Sequence, residues 1–187
     1  IARAVHAGRF ARVRVHVAAD TGMHRVGARP EDMLGLARAV GDLSELDLEG
    51  VCTHLPVADE PGNPYTDDQL ARFDDLLGKL RAAGIEPDVV HAANSAGLLL
   101  HPASRYGLVR CGIAVYGIPP APALAGLVDL RPALTLASEV AFVKTVSAGE
   151  GISYGHRHRL ARDSTIATVP IGYADGVFRS LPLAGQE

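Results

Sequence analysis

The chain has 187 residues, 48% of them hydrophobic and 21% charged, with a net charge of −3. That is ordinary globular composition, sufficient for one good-sized domain or one domain plus part of another. The acidic balance and 5% aromatic content argue against a nucleic-acid binder, and no apolar run approaches the roughly 18 residues of a membrane span.

The chain opens IARAVHAGRF, without the apolar segment or cleavage pattern of a secretory signal. It starts mid-element and without Met, so a fragment of a longer protein is expected. Its two cysteines, Cys52 and Cys111, sit in apolar, strand-like surroundings. They are expected as reduced thiols of a cytoplasmic protein, not as a disulfide.

Residues 12–17 (RVRVHV) alternate as a strand. It breaks into the polar knot Asp20, Thr21, Gly22, Met23, His24 and Arg25. Pro30 suits the first turn of a following helix, with Glu31 and Asp32 at its positive end. Met33, Leu36, Ala37, Val40 and Leu43 keep the helical period. Residues 48–53 return as a strand. Thr66, with Gln69 three residues on, predicts a capping box. That helix would bury Leu70, Phe73, Leu76, Leu77 and Leu80 and end at Gly84. Residues 88–91 read as a third strand, about 94–101 as a short helix, and 108–116 as a fourth strand, apolar throughout as buried parallel strands are.

Strands separated by helices pair in parallel, because a parallel return needs a crossover. The polar residues gather just past the strands, at Asp20 to Arg25, His54, Asn94 and Ser95, and within the last strand at Arg110. Active sites of eight-stranded barrels are built at that rim from several strands, whereas an open sheet concentrates its site at one switch point. The expected fold class is therefore α/β: part of a (β/α)8 TIM-type barrel over residues 1–130, then the start of a mostly β domain over 131–187. The boundary follows the linker-like IPPAPALAG. Residues 133–146 and 164–171 alternate as strands with no helix between them. The run His156-Arg157-His158-Arg159 reads as a solvated loop.

Several stretches could carry chemistry. In HAANSAG (residues 91–97), Asn94 or Ser95 can be a plain helix cap or part of an anion site with free backbone N–H groups. In RCGIAVYG (110–117), Gly112 admits either tight packing or close approach of a ligand. Arg110, a cation inside an apolar strand, must meet a carboxylate or a ligand, because burial of an unpaired charge is prohibitive. His54 in VCTHLPVADE is structural or faces the same rim. The Cys52/His54 and His156/His158 pairs lack further ligand spacing, so no metal is expected. GEGISYG does not match a dinucleotide fingerprint. In PIGYADG (170–176), Tyr173 is a satisfied interfacial tyrosine or a general acid/base. The second role needs its pKa lowered from about 10.

ADTGMHRVG, GVCTHLPVADE, HAANSAG, VRCGIAVYG, VKTVSAGEGISYG and TVPIGYADG together resemble the alanine racemase family, in the family's order and over nearly the whole chain. The resemblance implies pyridoxal 5′-phosphate as cofactor and interconversion of L- and D-alanine by two-base proton transfer at the α-carbon. It implies catalytic roles for Tyr173, His54 and Arg110. Cofactor contacts would come from Arg25 at the phenolic oxygen, from Asn94, and from Ser95, Gly112 and Ile113 at the phosphate. Arg110 would face the pyridine nitrogen and keep it unprotonated. His54 would bridge Arg110 and Tyr173. Tyr173 would serve the site of a partner subunit, implying a homodimer without membrane or nucleic-acid partners.

The family's second base is its Schiff-base lysine, in an N-terminal segment that this chain does not contain. Lys79 and Lys144 match no motif of the family. The closing part of the β domain is also absent, so the chain alone is expected to be inactive. Where many members have a lysine, often carbamylated, this sequence has Ala18, and His24 or a bound anion is expected to take over its part in placing Arg25. Alternatives are a racemase of another amino acid, such as serine, and a non-catalytic module that binds a phosphorylated ligand.

Overall fold

The computed structural model describes residues 12–178. The opening IARAVHAGRF and the end of the expected second domain lie outside the described residues. The chain divides into two compact units, Ile1–Leu134 and Thr135–Glu187.

The first unit is a parallel sheet with crossover helices. Strand β1 (Val13–Ala18) pairs with β2 (Leu46–Cys52), and β2 pairs with β3 (Val89–His91). Helix α1 (Met33–Gly41) joins β1 to β2, and α2 (Tyr65–Ala82) joins β2 to β3. Met33, Ala37 and Val40 of α1, with Leu70, Phe73, Leu76 and Leu80 of α2, meet Val17, Leu46 and Val51 of the sheet in one buried cluster. Leu36 and Leu43, expected on the buried face of α1, are instead exposed.

Between β1 and β2 the register slips. Val15 opposes Leu48, but His16 opposes Gly50, so Glu49 is the extra residue of a bulge. Side chains alternate across a strand, and an unbroken strand with Leu46 and Leu48 inward would turn Val51 outward. The bulge resets the phase, and Val51 is fully buried.

Two expected elements take other forms. The capping box at Thr66 does not exist: α2 begins earlier, on Pro64, and Asn63 Oδ1 accepts the Tyr65 N–H at 3.0 Å. Thr66 and Gln69 are buried inside the first turns. The helix closes as expected near Gly84, with Gly84 N–H donating to Arg81 O and Ile85 N–H to Leu80 O, the paired bonds of a Schellman motif.

The fourth strand is replaced too. Leu108 bridges to His91, and the chain then bends into a 3₁₀ turn, Ile113–Tyr116. The Gly112 and Ala114 N–H groups are drawn to the hydroxyl of Ser95, at 3.0 and 3.3 Å. Those bonds replace ladder bonds, which is why an apolar run here is not a strand. IPPAPALAG is not a free linker either, since Leu124 from its 3₁₀ turn Pro122–Leu124 is in the first unit's core.

The second unit is antiparallel. Strand β4 (Phe142–Val146) pairs with β7 (Ser164–Thr168), and β5 (Gly151–Ile152) pairs with β6 (His158–Arg159). Residues 133–141, expected in a strand, carry none. His156 to Arg159 are exposed, as expected of a solvated run, although two of them form β6.

Candidate active site

The polar knot after β1 is a docked loop. Ala19 and Ala28 bridge across its base, with Asp20 N–H to Ala28 O at 2.8 Å and Ala28 N–H to Ala18 O at 2.9 Å. Gly27 makes the crossing possible: its φ is +116°, and a Cβ there would sit 2.9 Å from the Asp20 nitrogen, closer than side chains tolerate. The Asp20 carboxylate accepts the N–H groups of Gly22 and His24 and contacts His24 Nδ1 at 3.2 Å. Those bonds from His24 and Gly22 hold the Asp20 carboxyl below its ordinary pKa.

Helix α2 clamps the loop from outside. Gln69 Nε2 donates to Thr21 Oγ1, Arg72 Nη1 to Thr21 O, and Tyr65 OH to Gly22 O. A buried pair, Thr21 Oγ1 and Thr53 Oγ1 at 2.7 Å, ties the knot to the end of β2. Thus the residues read as a cap, Gln69 foremost, serve to position the rim. The His24 ring is engaged with Asp20, and Arg25 lies exposed on the loop.

A cavity of about 380 Å³ lies beyond the C-terminal ends of β2 and β3. Its walls include Met23, His54, Asn94, Ser95, Arg110, Gly112 and Ile113. The structure therefore gathers six of the eight sequence-predicted site residues around one cavity. Arg25 is close enough for its charge to act on His54 but does not line the cavity. Tyr173 belongs to the second unit, in the 3₁₀ turn Tyr173–Asp175, and is 71% exposed.

Asn94 is the N-cap of α3 (Ser95–Leu100): its Oδ1 accepts the Gly97 N–H and its Nδ2 donates to Leu55 O, both at 2.9 Å. With both ends of the amide engaged, Asn94 fixes the helix start to the β2 rim. It thereby aims Ser95, whose buried hydroxyl accepts from Gly112 and Ala114. A Cβ on Gly112 would meet nothing within 4 Å, so the space in front of its α-carbon is open.

Arg110 spans the strand ends. Its Nη2 donates to Thr53 O at 2.8 Å, to Ala92 O at 3.1 Å and to His54 Nδ1 at 3.1 Å; its Nη1 donates to His91 Nδ1. No carboxylate pairs with it among the described residues, and its Nε has no hydrogen-bond partner there. A guanidinium only donates, so both imidazole Nδ1 atoms are acceptors. Burial, then the Arg110 charge, then Arg25 lower the pKa of His54; burial, Arg110 and His16 push that of His91 down to about 4. Burial raises the Cys52 thiol above its ordinary value, against the opposing pull of Arg110.

This sets a stability prediction. The unfolded chain takes up a proton on His91 near the ordinary histidine value, while the folded chain resists until about 4. The unfolded state then binds more protons across that interval. The full-length protein should lose stability as pH falls from about 6.5 toward 4, and His91→Asn should flatten that loss. Denaturant midpoints measured against pH test this, and an equal slope in the variant would contradict it.

His16 and His91 were missed as site residues because His16 sits mid-pattern in β1 and His91 closes β3 as an ordinary strand residue. The available signal was a histidine in each of two apolar strand patterns, with a lone arginine in the apolar run that follows.

The first unit is an α/β sheet with a cavity at its strand rim, lined by a hydroxyl that accepts two backbone N–H groups and by an arginine that no carboxylate pairs with among the described residues. The profile of "Alanine racemase, N-terminal domain" matches residues 2–120, and that of "Alanine racemase, C-terminal domain" matches 133–186. The chain belongs to the alanine racemase family. It is 53% identical over 179 residues to the alanine racemase of Symbiobacterium thermophilum, covering 96% of this chain and 47% of that one. Among solved structures, the alanine racemase from the D-cycloserine-producing Streptomyces lavendulae superposes with TM-score 0.84 at 43% identity, covering 96% and 48% of the two chains. That of Streptomyces coelicolor A3(2) gives 0.85 at 39%, covering 95% and 48%. The chain thus spans about half the length of the relatives it matches.

Proposed function

We propose that the full-length protein interconverts L- and D-alanine with pyridoxal 5′-phosphate, and that this chain contributes part of a (β/α)8 barrel over residues 1–130 and the start of a β domain. The observation that carries this reading is the pairing, at one cavity, of the Ser95–Gly112 cradle with Arg110, a cation no carboxylate neutralises among the described residues. An anionic, aromatic cofactor fits both: a phosphate suits the Ser95 hydroxyl and nearby N–H groups, and a ring nitrogen lone pair suits an arginine donor.

In this reading Ser95 and the backbone of Gly112 and Ile113 hold the phosphate, and Asn94 aims Ser95. Arg110 donates to the pyridine nitrogen. Because arginine stays charged, it does not pass a proton to that nitrogen. Arg25 contacts the phenolic oxygen. Bound pyridoxal phosphate supplies an electron-withdrawing system that acidifies the α-proton of an attached amino acid. His54 Nδ1 accepts from Arg110 Nη2, and the Tyr173 hydroxyl moves the α-proton on one face. Racemisation needs a second, opposed group. Lys79 is exposed on α2 and paired with Asp75 at 2.6 Å, and Lys144 lies in β4. We assign the opposed group to a lysine of the full-length protein other than Lys79 and Lys144.

We further propose a homodimer in which Tyr173 serves the partner's site, and cytoplasmic residence. Both cysteines are free, and no helix among the described residues is long and apolar enough to cross a membrane.

The test is racemisation by the full-length, cofactor-loaded protein, followed by loss of optical rotation from either alanine enantiomer. Absence of interconversion would overturn the assignment, and faster turnover of serine would overturn the substrate. In the same protein Ser95→Ala should raise the dissociation constant for pyridoxal phosphate about 10- to 100-fold, since a hydrogen bond to a charged group contributes roughly 1.5–3 kcal/mol. An unchanged constant in a fluorescence titration would remove Ser95 from the phosphate site.

A further inference from the structure

We propose that His16 and Glu49 are positioning residues for Arg110, acting through His91 as a one-way hydrogen-bond relay that Gly50 makes room for. The proposal rests on the racemase reading only for what Arg110 faces.

The direction of the relay follows from the donors. Arg110 Nη1 can only donate, so His91 Nδ1 accepts and the proton of the neutral ring is on Nε2. His91 Nε2 is 2.7 Å from His16 Nδ1, which must then be the acceptor, leaving the His16 proton on its own Nε2. That atom is 3.0 Å from Glu49 Oε2, and Glu49 Oε1 takes Arg14 Nη1 at 2.5 Å. Every donor meets an acceptor in one direction only. Flipping either ring's tautomer would set two protons or two lone pairs face to face.

Two features of the backbone exist for this alignment. A Cβ at Gly50 would collide with the His16 imidazole, so only glycine at the middle of β2 lets the ring cross from β1 toward β3. The bulge beside it makes Glu49 the extra residue and leaves its carboxylate on the sheet face that carries Arg14 and His16. The hydrogen bond from His16, then the charge of Arg14, hold the Glu49 carboxyl below its ordinary range despite an opposing desolvation effect.

Among the described residues, the charged and titratable groups around the two rings are Arg14 on β1, Glu49 and Cys52 on β2, and Arg110 beyond β3. Arg110 and burial oppose protonation of His91. A proton on either Nδ1 turns an acceptor into a donor and breaks the relay. The arginine fork is thereby held by a chain anchored on a carboxylate it never touches.

The experiment is ¹⁵N spectroscopy of the imidazoles in the full-length protein, with signals assigned through His16→Phe and His91→Asn. At pH 7.5 both rings should be bare at Nδ1 and protonated at Nε2. An Nδ1–H tautomer or a doubly protonated ring at either position overturns the relay, and this measurement needs no variant to be functional. In His16→Phe, His91 should keep its Nε2–H tautomer, held by Arg110, but lose the acceptor for that proton, and the dissociation constant for pyridoxal phosphate should rise about three- to tenfold, as for an orphaned donor. His16→Gln, which restores an acceptor and a donor, should recover most of the affinity. Unchanged affinity in His16→Phe would overturn the positioning role. Failure of the racemase reading registers separately, as absent alanine interconversion with the nitrogen spectra as expected.

Discussion

Arg110→Ala should weaken pyridoxal phosphate binding to the full-length protein by about a hundredfold and change the absorbance of the bound cofactor. The guanidinium serves acceptors on several elements at once: Thr53 O and His54 at the end of β2, Ala92 O and His91 at the end of β3. Truncation leaves these facing a void, and each buried acceptor without a donor costs roughly 1–3 kcal/mol. Water entering the void would recover part of this, so a net stability loss of about 3 kcal/mol is expected. Arg110→Lys keeps the charge but not the fork. An ammonium cannot span the His91 and Thr53 sides together, so its affinity should lie between wild type and alanine while its spectrum still shifts. With arginine gone, the nearest ionisable groups are the two imidazoles. Their pKa values should rise toward the ordinary histidine value once the cation no longer opposes their protonation. Fluorescence titration, the absorbance spectrum and a denaturation curve read the three effects. A wild-type spectrum in the alanine variant would sink the placement of Arg110 at the pyridine nitrogen.

Much of this frame was legible in the sequence because the signals are local. Alternation made β1, the period of Leu70, Phe73, Leu76 and Leu80 made α2, and Asn94 was recognisable as a cap. What escaped depends on partners far along the chain. Residues 108–116 have strand composition, yet the hydroxyl of Ser95, 17 residues before Gly112, captures the N–H groups that a ladder would use. Thr66 and Gln69 have the spacing of a capping box. The amide of Gln69 is instead directed to Thr21 and His54 O, which tertiary burial rewards more than a local cap. The bulge at Glu49 has no composition signal. Its trace is the changed phase of Leu46, Leu48 and Val51, meaningful only once Val51 is known to be buried. Arg110 was singled out correctly as a cation needing partners. That these would be carbonyls and imidazoles, not a carboxylate, is decided by strand order, which a single sequence does not print.

Tyr173→Phe is expected to reduce racemisation by the full-length protein about 10²- to 10⁴-fold, the usual contribution of a positioned acid/base group. Binding of pyridoxal phosphate should stay within about twofold. The residue is 71% exposed on its own unit, and an exposed substitution usually moves stability by no more than about 0.5 kcal/mol, so a large activity loss could not be attributed to unfolding. A symmetry argument sharpens the test. L- and D-alanine have equal free energies in water, so kcat/KM must fall by the same factor in both directions whichever face Tyr173 serves. Proton exchange need not be symmetric. The opposed base is untouched, so in D2O the variant should still exchange the α-proton of one alanine enantiomer while leaving the configuration of both almost unchanged. Exchange surviving for one enantiomer alone identifies Tyr173 as the proton carrier of the other face. Exchange lost equally from both would mean that the hydroxyl acts before proton transfer, in binding or orientation. Undiminished racemisation would remove Tyr173 from the chemistry altogether.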